Sequence, residues 1–265
     1  MEQAVYISSI DQLHYLSDDF TRLYFGAEFC ERLIPLRSEL ETALRSARER
    51  ALCFTFMTPF VTNSGLVRLE ELLHMLTQIR PDAEVVVNDW GVLHLLRSQY
   101  PELKPVLGRL LNKSKRGPRI MNVWDQIPAE TQDYFQGSNL DVPAALFFLQ
   151  QQGISRVEFD NLLQGLNLAG TVGRISKSLY LPFAFISATR FCLSANCDDP
   201  SKMDYLGVFP CGKECLKYSF NLYNPVMTLP LIRRGNAVFF IHESVPDVVT
   251  QQQVDRIVVQ PELPV

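Results

Sequence analysis

The sequence predicts an α/β fold, a single TIM-barrel-like (β/α)8 domain over residues 1–265 with a cysteine-rich cluster loop at 190–220. Three observations predict it. Short β-branched or aromatic runs alternate with amphipathic helical stretches, the pattern of βα units around a parallel sheet. The runs number about eight, the count that closes a parallel barrel. A chain of 265 residues that is 47% hydrophobic can bury one large core, and no Pro/Gly/Ser linker parts it in two.

In chain order, the predicted strands are Ala4–Ser8, Arg22–Phe25, Leu52–Met57, Glu84–Val87, Pro105–Leu110, Arg156–Phe159, Tyr180–Ile186 and Arg256–Val259. Glu39–Arg50 and Leu66–Ile79 carry leucines at helical spacing with charges opposite, and Val142–Gln152 repeats the pattern more weakly. Lys113–Arg119 and Glu130–Asn139 read as loops or short irregular segments. Barrel enzymes build their sites where strands end, at the C-terminal rim. Glu28 and Cys30 follow the second strand, Asn63 the third, Asn88 and Asp89 the fourth, Asp160 and Asn161 a later one, and Cys192 comes soon after the Tyr180–Ile186 run.

A formal charge of −4 argues against a surface that coats nucleic acid generally. The opening MEQAVYISSIDQLHYL has no basic segment, apolar stretch or small-residue cleavage site, so a cytoplasmic chain with reduced thiols is expected. No apolar run approaches the roughly 20 residues that span a bilayer. No phosphate-binding glycine loop, G-x-S-x-G or H-E-x-x-H occurs, and His14, His74, His94 and His242 are scattered, so peptidase and nucleotide chemistry find no support and no catalytic residue is assigned.

Four of the six cysteines, Cys192, Cys197, Cys211 and Cys215, read C-x4-C-x13-C-x3-C. Soft thiolates gathered in a reducing compartment suit zinc or an iron–sulfur cluster. Cys211 and Cys215 sit in PCGKEC, where Pro210 and Gly212 suit a tight turn that aims both sulfurs at one centre. With Cys30 included, five candidates compete for four places. Cys53, inside a predicted apolar strand, reads as a small buried hydrophobe. Structural zinc is the alternative, although its sites more often show two close cysteine pairs. The basic run Arg109, Lys113, Lys115, Arg116 and Arg119 could hold an anionic substrate or RNA phosphates. A solvated loop is the preferred reading, because Trp124 is the one neighbouring aromatic.

Several segments resemble the collagenase-like family U peptidases, and within them the UbiU/UbiV group. RLYFGAEFC (22–30) is similar to the family's strand, glycine and ligand cysteine. YLPFAFISATRFCLS (180–194) followed by PCGKECLKY (210–218) resembles its cysteine block, and AEVVVNDWGVLHLL (83–96) and GISRVEFD (153–160) resemble two of its strands. The resemblance implies a 4Fe–4S cluster on Cys30, Cys192, Cys211 and Cys215, with the additional Cys197 in reserve. It implies oxygen-independent hydroxylation of an aromatic ring, a quinone precursor, in anaerobic ubiquinone biosynthesis, with a UbiU-like protein as heterodimeric partner. Hydroxylation of an RNA base, or a purely structural metal site, are its alternatives. Substrate is then expected on the rim among Glu28, Asn88, Asp89 and Arg190.

Overall fold

The computed structural model describes residues 1–171, 174–205, 211–227 and 229–265. Eight parallel strands close a barrel: β1 (Glu2–Ile7), β2 (Arg22–Gly26), β3 (Cys53–Met57), β4 (Glu84–Val87), β5 (Lys104–Leu107), β6 (Arg156–Asp160), β7 (Ser176–Leu181) and, last in the chain, β12 (Arg256–Val259). β12 lies between β7 and β1, so the final strand of the chain completes the ring. Helices α1 (Arg37–Glu49), α2 (Asn63–Ile79), α3 (Trp90–Gln99), α4 (Ala129–Gln136) and α5 (Pro143–Gln151) occupy the connections from β2 to β6. No helix among the described residues is long and apolar enough to cross a membrane.

Period-two alternation divides the core into two layers. Leu23 and Phe25 of β2, Val85 and Val87 of β4, and Ile257 of β12 pack in the layer shared with the helices, while Tyr24, Val86 and Val258 belong to the barrel interior. That interior is aromatic and partly polar. Tyr24 and Tyr180 meet edge to face at 6.2 Å, and the Tyr180 hydroxyl donates to Glu158 Oε2 at 2.5 Å.

The structure differs from the sequence reading in four places. Tyr180–Ile186 is two strands: β7 ends at Leu181, and β8 (Phe183–Ala188) begins after Pro182, across a cis peptide. Proline lacks the N–H that would extend the ladder. β8 leaves the barrel for a four-stranded antiparallel sheet with β9 (Ser219–Leu222), β10 (Leu231–Arg234) and β11 (Ala237–Ile241), in the order β8-β11-β10-β9, before α6 (Asp247–Thr250) leads back to β12. Secondly, the fifth strand stops at Leu107 rather than Leu110, because Leu111 N and Asn112 N both donate to Gly108 O and turn the chain. A Cβ at Gly108 would stand 2.1 Å from Asn88 Oδ1, so any larger residue would have to displace the Asn88 amide. Thirdly, much of Glu130–Asn139 is α4, a helix with no buried residue and so no apolar stripe to reveal it. Finally, Cys53 is exposed, not buried, because β3 begins there and only its following residues enter the sheet's interior.

The N-terminal end of the barrel is held by charge. Arg256 donates to both Glu84 oxygens at 2.6 and 3.0 Å, to Glu2 at 2.6 Å and to the Tyr24 hydroxyl at 2.6 Å. Burial pushes the Glu84 carboxyl up, but Arg256, with Arg22 and Arg156 behind it, brings it down to about 2 from 4.5. Glu158, inside the barrel, goes the other way. Burial dominates and raises it to about 8, and its Oε1 has no hydrogen-bond partner.

These two carboxyls should give opposite pH signatures. A depressed folded-state pKa contributes stability present above pH 4.5 and lost as the pH falls towards about 2. Glu84→Gln should therefore cost about 3 kcal/mol at neutral pH, and its gap from wild type should close in acid. A raised folded-state pKa contributes stability that is full below pH 4.5 and lost as the pH rises to about 8. Relative to Glu158→Gln, wild type should weaken by about 1.4 kcal/mol per pH unit across that window. Urea unfolding at a series of pH values checks both, and parallel pH profiles for wild type and either variant would contradict the corresponding assignment.

Candidate metal centre and rim cleft

Arg109, in the turn after β5, is wholly buried. Its Nε and Nη2 donate to Glu28 Oε1 and Oε2 at 3.0 and 2.6 Å, and its Nη1 donates to Asp160 Oδ1 at 2.8 Å and to Phe183 O at 3.1 Å. The guanidinium also lies 4.0 Å from the Tyr180 ring centroid. Burial alone would lower its pKa, but Glu28 and Asp160 more than reverse this and keep it charged. Arg116 completes the set. It donates from Nε to Asp160 Oδ2 at 2.9 Å and from Nη2 to the carbonyls of Arg109 and Asn112 at 2.6 and 2.7 Å. The basic run is thus not a solvated loop: two of its arginines are structural ties, and Lys113, Lys115 and Arg119 are exposed.

These ties position the cysteines. With the Glu28 carboxylate turned inward onto Arg109, Phe29 packs against Phe185 and Phe239 at ring separations of 5.0 and 5.1 Å, and Cys30 is presented at the surface of that cluster. Asn236, in the turn between β10 and β11, donates to Phe29 O at 2.7 Å and to Thr189 O at 2.8 Å, joining the Cys30 segment to the approach to Cys192. Gly235 beside it has φ +61°, and a Cβ there would stand 3.2 Å from the Cys215 Cβ. Glu214 organises the last pair: its Oε1 accepts from the amides of Asn196 and Gly212 at 3.0 and 3.1 Å, and the Cys211 thiol approaches its Oε2 at 3.7 Å. Pro210, placed by the sequence in the same turn, lies outside the described residues.

Cys30, Cys192, Cys211 and Cys215 line one cavity of about 30 Å³, together with Arg32, Arg190 and Lys213. Cys197 does not line it; burial, with the charges of Asp198 and Glu214, pushes its thiol up. Cys53 stands at the start of β3, at the other end of the barrel. All six cysteines are free. Burial pushes the Cys30, Cys192 and Cys215 thiols up, Cys215 to about 12, and the neighbouring sulfurs add to the shift.

The donor set suits a cluster. The cavity lining brings four thiols together with Arg32, Arg190 and Lys213, cations that would offset the charge of four thiolates. Among the described residues no group of three or more Cys, His, Asp or Glu side chains is already arranged to hold a metal ion. Zinc and an iron–sulfur cluster would both draw on these thiolates. Ligation by either requires the thiols to lose their protons.

A second, open cleft of about 430 Å³ lies over the C-terminal ends of β3, β4 and β5 and against β8, lined by Phe60, Asn88, Lys113, Arg116, Phe185 and Arg190 among others. Arg190 lines both this cleft and the cysteine cavity. Of the four expected rim residues, Arg190 and Asn88 reach the cleft and Glu28 and Asp89 do not. Glu28 is consumed by Arg109, and Asp89 caps α3 by accepting from Gly91 N at 2.6 Å. Asn88 lines the cleft while bonding Thr58 O and Leu110 N, at 2.9 and 3.1 Å.

No protein-family profile matches the sequence, and no curated protein matches it. Among solved structures, one described as the U32 peptidase Mk0906 superposes over 99% of this chain and 93% of that one, with a TM-score of 0.52 and 13% sequence identity. What the two share is the fold.

Removing the buried guanidinium should loosen this end of the barrel. Arg109→Leu leaves Glu28 uncompensated and Asp160 with Arg116 alone, at an expected cost of about 3–5 kcal/mol. Hydrogen exchange should accelerate at Phe185, whose amide donates to Asp160 Oδ1 at 2.8 Å, and around Cys30. Unchanged protection at both places would show that Arg109 does not hold β8 and the Cys30 segment.

Proposed function

We propose that the chain is a 4Fe–4S protein acting in oxygen-independent hydroxylation of an aromatic ring during anaerobic ubiquinone biosynthesis, working with a UbiU-like partner. Within the family U group, its motifs are most similar to those of the short member UbiV. The observation that carries the reading is the convergence of Cys30 with Cys192, Cys211 and Cys215 on one cavity that shares Arg190 with an open cleft on the barrel rim. Cys30 comes from the end of β2 and the other three from the insertion between β7 and β12, so residues more than 160 positions apart meet at one place.

Cys30, Cys192, Cys211 and Cys215 would hold the cluster, which when bound supplies electron transfer or activation for the ring. The chain's own residues do the rest: Arg109 and Asn236 hold the ligand-bearing segments, the cavity cations balance charge, and the cleft offers a place for substrate next to the thiols. The partner has a surface to meet. Phe191, Leu216, Tyr218 and Phe220 are exposed beside the cysteines, and β9 is an edge strand of the small sheet.

Anaerobic purification followed by iron, sulfide and zinc analysis should find about four irons and four sulfides per chain. These should be lost in Cys30→Ala and retained in Cys197→Ala. Zinc alone would replace the proposal with a structural site. In anaerobic cells, Cys211→Ala should abolish quinone-ring hydroxylation, and undiminished product in that strain would sink the hydroxylation reading while leaving the cluster intact as a question of structure.

A further inference from the structure

We propose that the rim cleft is a binding site for a small aromatic carboxylate, held with its acid group between Lys113 and Arg190 and its ring against Phe60 and Phe185. This deepens the hydroxylation reading by giving the substrate's chemistry, and for its biological role it rests on that reading.

The charge balance of the cleft carries the inference. In a chain with a formal charge of −4, the cleft is lined by Lys113, Arg116 and Arg190 and by no aspartate or glutamate. Arg116 is already committed, to Asp160 and to two carbonyls. Lys113 and Arg190 are different: both are exposed, and neither makes an ion pair among the described residues. Lys113 faces the cleft and not the cysteine cavity, while Arg190 borders both and can serve a ligand in the cleft from its side of the seam. The walls supply the second half of the recognition. The Arg190 guanidinium stands 5.6 Å from the centroid of the half-buried Phe60 ring, and Arg116 stands 5.4 Å from that of Phe185, which shows the cleft only an edge, 5% exposed. A volume of about 430 Å³ takes a ligand of one or two rings.

A flat apolar body with an anionic end matches two cations without ion pairs, the half-buried Phe60 ring and the small exposed edge of Phe185. A phosphate alone would leave the aromatic walls unused. A single-stranded nucleic acid would need cations following a backbone and bases stacked in succession, whereas the unpaired charge here is confined to two side chains within one cleft.

Titration calorimetry on the full chain, purified anaerobically, tests this with benzoate as the probe. Benzyl alcohol, inorganic phosphate and a short oligouridylate serve as comparators. Benzoate should bind saturably and at least about tenfold more tightly than benzyl alcohol, since a charged hydrogen bond is worth that much. Lys113→Ala and Arg190→Gln should each weaken benzoate by about tenfold. Ser187→Glu, at an exposed position of β8 in the same cleft, should abolish binding by placing a like charge there. Equal binding of benzyl alcohol, undiminished affinity in these variants, tighter binding of phosphate or the oligonucleotide, or no benzoate heat at about ten millimolar would each overturn the proposal. Iron measured on the same samples separates the two readings. Benzoate binding to a chain that never acquires iron would defeat the hydroxylation proposal alone, and an iron-loaded chain indifferent to benzoate would defeat this one alone.

Discussion

A guanidinium taken wholly out of water costs several kcal/mol unless acceptors surround it, and Arg109 meets that demand by drawing three parts of the chain to one point. Glu28 comes from the end of β2, Asp160 from the end of β6, and the Phe183 carbonyl from the first residue of β8. The first two belong to the barrel and the third to the inserted sheet. One buried cation therefore sets where the small sheet sits on the barrel, and Asp160 reinforces it by accepting the Phe185 amide as well. Arg116 supplies the second positive charge that two buried carboxylates require, and in doing so fixes the loop that presents Lys113.

The two candidate sites follow from that arrangement. Turning Glu28 inward leaves Phe29 to fill the seam between barrel and sheet, and the next residue, Cys30, is the one that emerges. On the sheet's side the same seam carries Asn236, which bonds the backbone of both Phe29 and Thr189. Thiols from distant parts of the sequence are thus held by bonds that do not involve sulfur, so the cavity is preorganised by the protein. Arg190 lies where the seam opens onto the rim, which is why it lines both spaces.

Much of the barrel was legible because strand and helix periods are local signals. The starts and ends of β2, β4 and β12 fall within a residue or so of the runs that predicted them, and α2 follows its leucines. The antiparallel sheet was not legible: β9 is exposed at nearly every position, so no alternation marks it, and β8 was merged with β7 because both are apolar and only Pro182 separates them. α4 was missed for a related reason, as a helix without a buried face has no periodicity to read. At the site, cysteine spacing marks segments that meet at the cavity, but nothing local distinguishes Cys197, off the cavity, from Cys192, on it. Arg109 looks in sequence like its basic neighbours, because its burial depends on Glu28 and Asp160, far away along the chain. A lone glycine before it, Gly108, was the one available sign that the chain turns there.

The inserted sheet resolves a difficulty that a plain barrel would face. A C-terminal rim built from eight short loops offers polar groups from many directions but little enclosed volume, and buried thiols need enclosure, since their surroundings set the properties of any cluster they hold. Here the connection from β7 to β12 is expanded into a sheet that roofs one side of the rim. Between roof and rim lie the thiols, in a small cavity; beyond the edge of the roof lies the cleft, open to solvent and lined by Lys113, Arg116, Arg190 and Phe60. Enclosure for the sulfurs and access for a ligand are opposed requirements at a single location. Placing them on either side of Arg190 satisfies both, and makes that exposed arginine, rather than any buried residue, the physical link between the thiols and whatever occupies the cleft.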